Sequence, residues 1–131
     1  GKFLEIMANR LGVTLQELFD MADTGDVLSI SSLCTVFAES EVISQLSAKV
    51  SLADIAAGIH NSVAKRVSGM ALRLGRPNCM AMSGGVALNT GVVHAMEREM
   101  GCPILVDPLC QSAGAIGAAL LAYEKLSKSK E

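Results

Sequence analysis

The sequence predicts an α/β fold in which parallel strands are flanked by helices. The second half of the chain alternates strand, helix, strand and helix, with strands expected at Cys79–Met82 and Ile104–Val106. Such alternation is typical of parallel strands joined by crossover helices. The first of these strands leads into the pair Gly84 and Gly85, and a helix is expected to follow. Glycine has no Cβ, so this turn either serves packing or lets a flat ring or a phosphate approach the main chain.

The first part of the chain is predicted to be helical. Apolar residues at helical spacing predict a helix over Lys2–Leu11, with Gly12 as its C′ residue. Thr14 and Glu17 form a capping box in front of a short second helix. A turn and a brief extended piece over 27–30 follow, and a third helix is expected from about Glu39 to Lys49.

The longest predicted helix covers Leu52–Leu74. Ser51 and Asp54 cap its start, and Gly75–Pro77 stops it. Its apolar face is expected to carry Ile55, Ile59, Val63, Val67 and Met70. The two remaining helices are expected at Thr90–Met100 and Ala113–Lys125, ahead of a solvated tail.

The composition suits a single domain or a large piece of one. Half of the 131 residues are hydrophobic but only 3% are aromatic, so the core must be built from small aliphatic side chains and methionine. We expect the surplus apolar surface to be covered by further chain or by a second subunit. Residue 1 leads straight into an amphipathic helix, so we expect no signal peptide and a start within a longer protein.

Several partner classes and compartments are disfavoured. A net charge of −2 with scattered basic residues argues against a nucleic-acid partner. No apolar run reaches the roughly 18 residues that a membrane span needs. The four cysteines show neither a Cys-x-x-Cys pair nor zinc-type spacing, so reduced thiols in the cytoplasm are expected.

The start of the last helix is a second candidate ligand site. Glycine inside a helix costs about 1 kcal/mol relative to alanine, so a close neighbour is expected at Gly114 and Gly117. Tight packing is the interpretation favoured for Gly117, whereas ligand contact is favoured for Gly114. The Gln111 side chain can donate and accept at once, which suits a purine edge or a ribose hydroxyl.

Other reactive side chains have two interpretations each. Cys34 lies at a helix start in a polar setting that would stabilise a thiolate for metal ligation or redox chemistry, but its spacing alone favours a buried, inert thiol. His60 and His94 suit a helix surface or a satisfied core better than catalysis. Glu39 and Glu41 are either acid–base groups or carboxylates favoured by the helix dipole. The methionines expected in the core are Met80, Met82, Met96 and Met100.

Four segments together closely resemble one family. They are Ser31-Ser-Leu-Cys-Thr-Val-Phe-Ala-Glu-Ser-Glu-Val-Ile43, Asp54-Ile-Ala-Ala-Gly-Ile-His60, Ser83-Gly-Gly-Val-Ala-Leu-Asn89 and Gly114-Ala-Ile-Gly-Ala-Ala-Leu120. The family comprises the ATP-dependent activators of 2-hydroxyacyl-CoA dehydratases and benzoyl-CoA reductases, within the superfamily of actin, acetate kinase and sugar kinases. The resemblance covers nearly the whole chain in order, and the segment around Cys34 is its most specific part.

The resemblance implies the second lobe of an actin-like (ribonuclease H-like) ATPase, present in part and carrying a helical insertion. Residues 1–131 would form one partial domain, with a cluster-binding helical segment at 1–50 and an adenosine-side α/β region at 51–131. In this family a homodimer holds one 4Fe-4S cluster on its two-fold axis, with two cysteines from each subunit. Cys34 matches one of these ligands, and the other belongs to a segment that precedes Gly1 in the family.

The resemblance also assigns a nucleotide site. Gly84, Gly85 and Asn89 match the adenosine-side motif for ATP or ADP, and Gln111 and Gly114 fall where the last loop and helix approach it. The phosphate-binding hairpins and the acidic residue that holds magnesium belong to the family's N-terminal portion. No catalytic residue is therefore expected in this chain, which we expect to be inactive alone.

The function implied for the intact protein is ATP-driven transfer of a low-potential electron to an acyl-CoA dehydratase or reductase. Reduced ferredoxin or flavodoxin would supply the electron. Two rival interpretations remain at this point: a cluster-free ATPase or sugar-kinase-like lobe in which Cys34 is merely buried, and a non-catalytic domain of a larger multidomain protein.

Overall fold

The computed structural model describes residues 1–31 and 35–128. In chain order its elements are α1 (Lys2–Leu11), α2 (Leu15–Ala22), α3 (Thr35–Ser47), α4 (Leu52–Ala71), β1 (Met80–Met82), α5 (Thr90–Met100), β2 (Ile104–Val106) and α6 (Ala113–Lys128). Short 3₁₀ turns lie at Leu72–Leu74, Gly85–Leu88 and Cys110–Ser112.

The first two helices are bounded by the predicted local signals. Gly12 ends α1 with a left-handed φ of 69°, and its N–H donates back to the α1 carbonyls. The Thr14 hydroxyl accepts from the Glu17 N–H at 3.2 Å, and the Glu17 carboxylate accepts from the Thr14 N–H at 2.7 Å. The capping box is confirmed. Residues 26–31 then form neither helix nor strand, although Ile30 is buried.

The third helix begins earlier than predicted. It starts at Thr35 rather than near Glu39, and Ala38 in its first turn is fully buried in the core. Glu39 and Glu41 therefore lie beyond the first turn. Glu39 pairs with Arg10 of α1, and the Glu41 carboxylate accepts from the Ser31 N–H at 2.7 Å. Both carboxylates thus have structural partners.

The long helix α4 forms the centre of the domain. The Ser51 hydroxyl accepts from the Asp54 N–H at 3.1 Å, which confirms the predicted start. Ile55 and Ile59 are fully buried, but Met70 is 55% exposed, so the predicted apolar face is wrong at its last member. Ser68, in the same turn, is buried at 2% exposure, so Met70 lies on the opposite, open side of the end of α4.

The two strands pair in parallel, and α5 is the crossover between them. Met80 is in register with Ile104, and Met82 with Val106. The strand predicted from Cys79 begins one residue later, at Met80, and Cys79 is exposed. Helix α4 packs against α2 and α5, and these contacts enclose the main core. Met96 and Met100 are buried as predicted, whereas Met80 and Met82 are half-buried.

Helix α6 differs from the other long helices in that none of its residues is buried. Its exposed apolar side chains include Leu120, Leu121, Tyr123 and Leu126. Across the described residues, no helix combines the length and the hydropathy needed to cross a bilayer.

Candidate functional site

The turn after β1 has a backbone that favours glycine. Gly84 adopts a φ of 95°, in the region that L side chains rarely enter. Its N–H donates to the Cys110 carbonyl at 2.8 Å, so the turn is tied to the 3₁₀ turn that precedes α6. Gly85 then begins the turn that leads into α5, and the first N–H groups of such a turn have no acceptor inside it.

A cleft of about 370 Å³ opens beside this turn. One wall comes from α1 and α2 and the other from the chain around Gly85 and Gln111. Its lining residues are Gly1, Leu4, Glu5, Leu15, Phe19, Gly85, Val86 and Gln111. A Cβ at Gly85 would lie 3.7 Å from the Gln111 side-chain nitrogen, so the missing side chain leaves space directly beside a donor–acceptor amide. The cleft combines the apolar side chains of Leu4, Leu15 and Phe19 with the polar groups of Glu5 and Gln111.

The structure brings together only part of the predicted nucleotide set. Gly85 and Gln111 line the cleft, and Gly84 is their immediate neighbour. Gly114 lies in the first turn of α6, is exposed and does not line the cleft. Gly117 also has open space where a Cβ would stand, so its predicted close packing partner is not found among the described residues.

Asn89 is fully buried, and its amide is turned inward. Its Oδ1 accepts from the Val92 N–H at 3.0 Å, which caps the start of α5. Its Nδ2 lies 3.0 Å from His60 Nε2 on α4. Asn89 therefore supports the Gly-Gly turn from the core side, and its side-chain amide is hydrogen-bonded to other groups of the protein.

His60 is a satisfied core histidine, which is one of the two roles expected for it. Its Nδ1 lies 2.8 Å from the Ala56 carbonyl, and its ring meets Phe19 edge-on with 5.8 Å between centroids. Burial lowers the pKa of His60 below its ordinary value, although the Ala56 carbonyl, Asp23 and Asn89 act against this. His94, by contrast, lies half-exposed with its Nδ1 3.1 Å from the Asp23 carboxylate.

Sequence reasoning did not foresee the wall formed by α1 and α2. Leu4, Glu5 and Phe19 are ordinary members of amphipathic helices, and no local motif marks them as cleft residues. Only the packing of α2 on α4 and α5 brings Phe19 to the Gly-Gly turn.

A second, larger groove lies along the sheet and the start of α6. It measures about 750 Å³ and is lined mainly by apolar side chains, among them Met82, Leu105, Val106, Leu109, Ile116 and Leu120. Leu105, Leu109 and Leu120 are each about 60% exposed. Within the described part of the chain this surface has no covering element, which agrees with the surplus apolar surface expected from the composition.

The described residues do not gather a metal site. Cys79 is exposed, Cys102 and Cys110 are buried, and no cluster of three or more His, Cys, Asp and Glu side chains that could hold a metal occurs in 1–31 and 35–128. Cys110 does lie next to the Gly-Gly turn, through its carbonyl. Cys34, the predicted cluster ligand, falls outside the described residues.

The comparison with protein families gives an unambiguous match. Residues 1–122 fit the family described as BadF/BadG/BcrA/BcrD ATPases. The chain belongs to this BadF/BadG/BcrA/BcrD ATPase family. The resemblance of the four sequence segments to this family is thereby confirmed.

Curated relatives of this BadF-family chain include several dehydratase activators. It is 48% identical to the 2-hydroxyisocaproyl-CoA dehydratase activator of Clostridioides difficile over 132 residues, which cover 100% of this chain and 50% of that protein. It is 52% identical to the (R)-2-hydroxyglutaryl-CoA dehydratase activating ATPase of Acidaminococcus fermentans, over 98% of this chain and 50% of that protein. The chain therefore spans about half the length of these relatives.

Solved structures of two activators share the fold. The activator of the 2-hydroxyisocaproyl-CoA dehydratase from Clostridium difficile, with bound ADPNP, superimposes with a TM-score of 0.92 at 48% identity. That match covers 99% of this chain and 49% of the other. Component A of the Acidaminococcus fermentans (R)-2-hydroxyglutaryl-CoA dehydratase gives a TM-score of 0.91 at 51% identity, over 97% of this chain and 49% of the other. The expected α/β lobe of an activator ATPase is confirmed, in part of its length.

Proposed function

We propose that this chain is the adenosine-side part of an ATP-dependent activator that delivers a low-potential electron to a 2-hydroxyacyl-CoA dehydratase or a benzoyl-CoA reductase. The cleft between α1, α2 and the Gly-Gly turn carries the proposal, in a chain about half identical to dehydratase activators. Because the chain spans half the length of those relatives, the activity is proposed for the intact protein.

The cleft is proposed to hold the adenosine part of ATP or ADP. A related activator was solved with ADPNP bound, and the present cleft offers the features that a purine nucleoside requires. Gly84 and Gly85 leave the main chain open to a flat ring, and the exposed Gln111 amide can pair with a ring edge or a hydroxyl. Asn89 fixes the turn, and Gly114 lies beyond it at the start of α6.

We propose that the phosphates and magnesium are held by parts of the intact protein outside residues 1–131. We therefore expect the 131-residue chain alone to bind nucleotide weakly and to lack ATPase activity. The cleft itself draws on both proposed segments, because α1 and α2 belong to 1–50 and the Gly-Gly turn belongs to 51–131.

A test of the nucleotide site is titration calorimetry of ADP against the full-length protein and its Gln111→Ala and Gly85→Leu variants. Loss of the Gln111 hydrogen bonds should raise the Kd for ADP about tenfold, and a leucine that fills the cleft should raise it further. Gln16→Ala, on the exposed face of α2, is the matched control. Unchanged affinity in both cleft variants would remove this cleft as the site.

We propose Cys34 as one ligand of a 4Fe-4S cluster shared by two subunits. Such a cluster needs four thiolates, and the described residues of one chain supply no such group. Two copies, each giving Cys34 and a second cysteine from outside this sequence, would complete the set. The exposed apolar residues Val36 and Phe37, in the first turn after Cys34, support a subunit contact at this place.

Anaerobic reconstitution with iron and sulfide tests the cluster on the full-length protein. We expect a brown dimer whose iron–sulfur absorbance disappears in Cys34→Ser while ADP binding stays intact. Cys79→Ser, at an exposed thiol, is the control and should retain the cluster. A colourless monomer that binds ATP would favour a cluster-free, kinase-like ATPase. A protein that binds neither the cluster nor ATP would favour a non-catalytic domain.

The partners follow from the same proposal. The electron acceptor would be an acyl-CoA dehydratase or reductase, the donor a reduced ferredoxin or flavodoxin, and the site of action the cytoplasm. Relatives of this chain activate 2-hydroxyisocaproyl-CoA, (R)-2-hydroxyglutaryl-CoA and lactoyl-CoA dehydratases, which supports a 2-hydroxyacyl-CoA dehydratase as the class of acceptor.

A further inference from the structure

We propose that His60 is a positioning residue for the cleft, because its contacts on the core side fix the position of the two cleft walls relative to each other. This inference rests on the proposed function, in that the cleft is taken as the nucleotide site. His60 touches no cleft space itself, since it is buried on α4. It acts through Asn89 on one side and through Phe19 on the other.

The hydrogen bonds of His60 fix one tautomer. The Ala56 carbonyl can only accept, so Nδ1 carries the proton and donates across 2.8 Å. Nε2 is then an acceptor and receives the Asn89 Nδ2–H across 3.0 Å. This leaves Asn89 Oδ1 to accept from the Val92 N–H at 3.0 Å, which is the capping bond of α5. The orientation of the cap is thus set by the protonation state of His60.

The second wall is held by ring contact. Phe19 on α2 lies edge-on to the His60 imidazole, with an interplanar angle of 88°. Phe19 also lines the cleft opposite Gly85 and Gln111. Gly91, in the first turn of α5, permits this packing, because a Cβ there would lie 3.1 Å from His60 Cδ2. One imidazole therefore touches a cleft-lining side chain and the cap that follows the Gly-Gly turn.

Protonation of His60 would disturb this arrangement. With a proton on both ring nitrogens, Nε2 would point a donor at the donor of Asn89, and the amide would have to rotate away from Val92. Asp23, at the end of α2, is the charged group that acts on His60 and favours its protonated form, while its carboxylate also pairs with His94 of α5. Burial opposes protonation, so the neutral, correctly capped state prevails at neutral pH.

The experiment compares ADP affinity of the full-length protein with that of its His60→Phe and Asn89→Asp variants, from about pH 8 down to about pH 5.5. Phenylalanine keeps the ring contact but removes both hydrogen bonds. Aspartate keeps the cap but removes the amide donor and favours a protonated His60. His94→Gln is the control, at an exposed histidine near the same carboxylate.

At about pH 8 we expect His60→Phe to raise the Kd about tenfold, because the Asn89 donor loses its partner. The Kd ratio of His60→Phe to the unmodified protein should fall toward one as the pH drops, and titration of the nucleotide phosphates cancels in that ratio. In Asn89→Asp the affinity should not fall on acidification, because a protonated Nε2 can donate to the introduced carboxylate while that carboxylate still caps α5. His94→Gln should follow the unmodified protein. A Kd ratio that is near one or independent of pH overturns the proposal.

Amide hydrogen exchange of 85–88 without nucleotide separates this inference from the proposed function. Faster exchange there in His60→Phe, with circular dichroism unchanged, supports positioning of the turn even if ADP binds elsewhere or not at all. Unchanged exchange at 85–88 contradicts the inference whether or not ADP binds at the cleft.

Discussion

At the scale of single residues, the hydrogen bond between His60 and Asn89 joins positions 29 residues apart in the chain. Asn89 was predicted to belong to the adenosine-side motif, and the structure places it directly behind the Gly-Gly turn with its amide facing the core. The motif predicted that Asn89 lies at the Gly-Gly turn, but the direction of its side-chain amide depends on partners brought near by the fold. The sequence therefore could not predict which groups this amide contacts.

The depressed pKa of His60 makes stability depend on pH in a definite direction. The unfolded chain takes up a proton near the ordinary pKa of about 6.5, whereas the folded chain does so only at lower pH. Between these two pKa values the unfolded state therefore binds more protons than the folded state. The contribution of His60 to the free energy of unfolding should be complete above about pH 6.5 and should decrease as the pH drops below that value. Urea denaturation at a series of pH values measures this.

In His60→Phe that part of the pH dependence should disappear, so the difference in unfolding free energy between the two proteins should shrink on acidification. His94→Gln provides the comparison at an exposed histidine. A difference that stays constant between about pH 8 and 5 would mean that folding does not lower the pKa of His60.

At the scale of elements, local signals set most boundaries. Helices α1 and α5 and strand β2 have the predicted limits. Gly12 and Gly101 end the two helices with left-handed backbones that need no distant partner, and the Asn89 side chain caps the start of α5. The errors lie where tertiary contacts decide. Helix α3 starts before the predicted Glu39, strand β1 starts one residue after the predicted Cys79, and Met70 near the end of α4 is exposed.

Two glycines within α4 give a matched pair of expectations. A Cβ at Gly58 would lie 2.7 Å from the Leu28 carbonyl oxygen, so Gly58→Ala should destabilise the domain by about 1–3 kcal/mol through overpacking. A Cβ at Gly69 meets no described atom within 4 Å, so Gly69→Ala should stabilise it by up to about 1 kcal/mol through helix propensity.

Urea denaturation of both variants under one condition measures the contrast. Equal effects of the same sign would show that the segment around Leu28 does not press on α4 as described. Because both substitutions add the same methyl group to the same helix, helix propensity alone cannot produce opposite signs.

At the scale of the whole molecule, three features were predicted: the α/β class, the parallel sheet and the apolar surface that no described element covers. Alternation of elements gave the first two, and composition gave the third. The cleft itself was predicted only on one side, because Phe19 and Leu4 reach it through the packing of separate helices. Whole-molecule assembly of that kind leaves no mark at any single position.

The apolar groove beside α6 leads to a prediction about chain length. The dye 8-anilinonaphthalene-1-sulfonate should bind strongly to the 131-residue chain, because Leu105, Leu109 and Leu120 are exposed together. In the full-length protein we expect this surface to be covered and the fluorescence per molecule to fall severalfold. Fluorescence titration of both lengths at equal concentration measures the change.

The double variant Leu105→Gln with Leu120→Gln should lower the signal in the short chain. Leu74→Gln, at a highly exposed leucine outside this groove, should leave it nearly unchanged. Equal dye binding by the short and full-length chains would show that the groove remains open in the larger protein.

The absence of a side chain at Gly91 constrains how this protein can change over generations. A methyl group at that position would press on His60 Cδ2 and on the Ala22 methyl, each at 3.1 Å, and on Asn89 Oδ1 at 3.3 Å. A lineage could therefore acquire alanine there without harm only after the imidazole had been replaced by a smaller side chain and α2 had shifted its Ala22 methyl away. The permitted order of mutations is set by geometry, and positions 22, 60 and 91 should be inherited together.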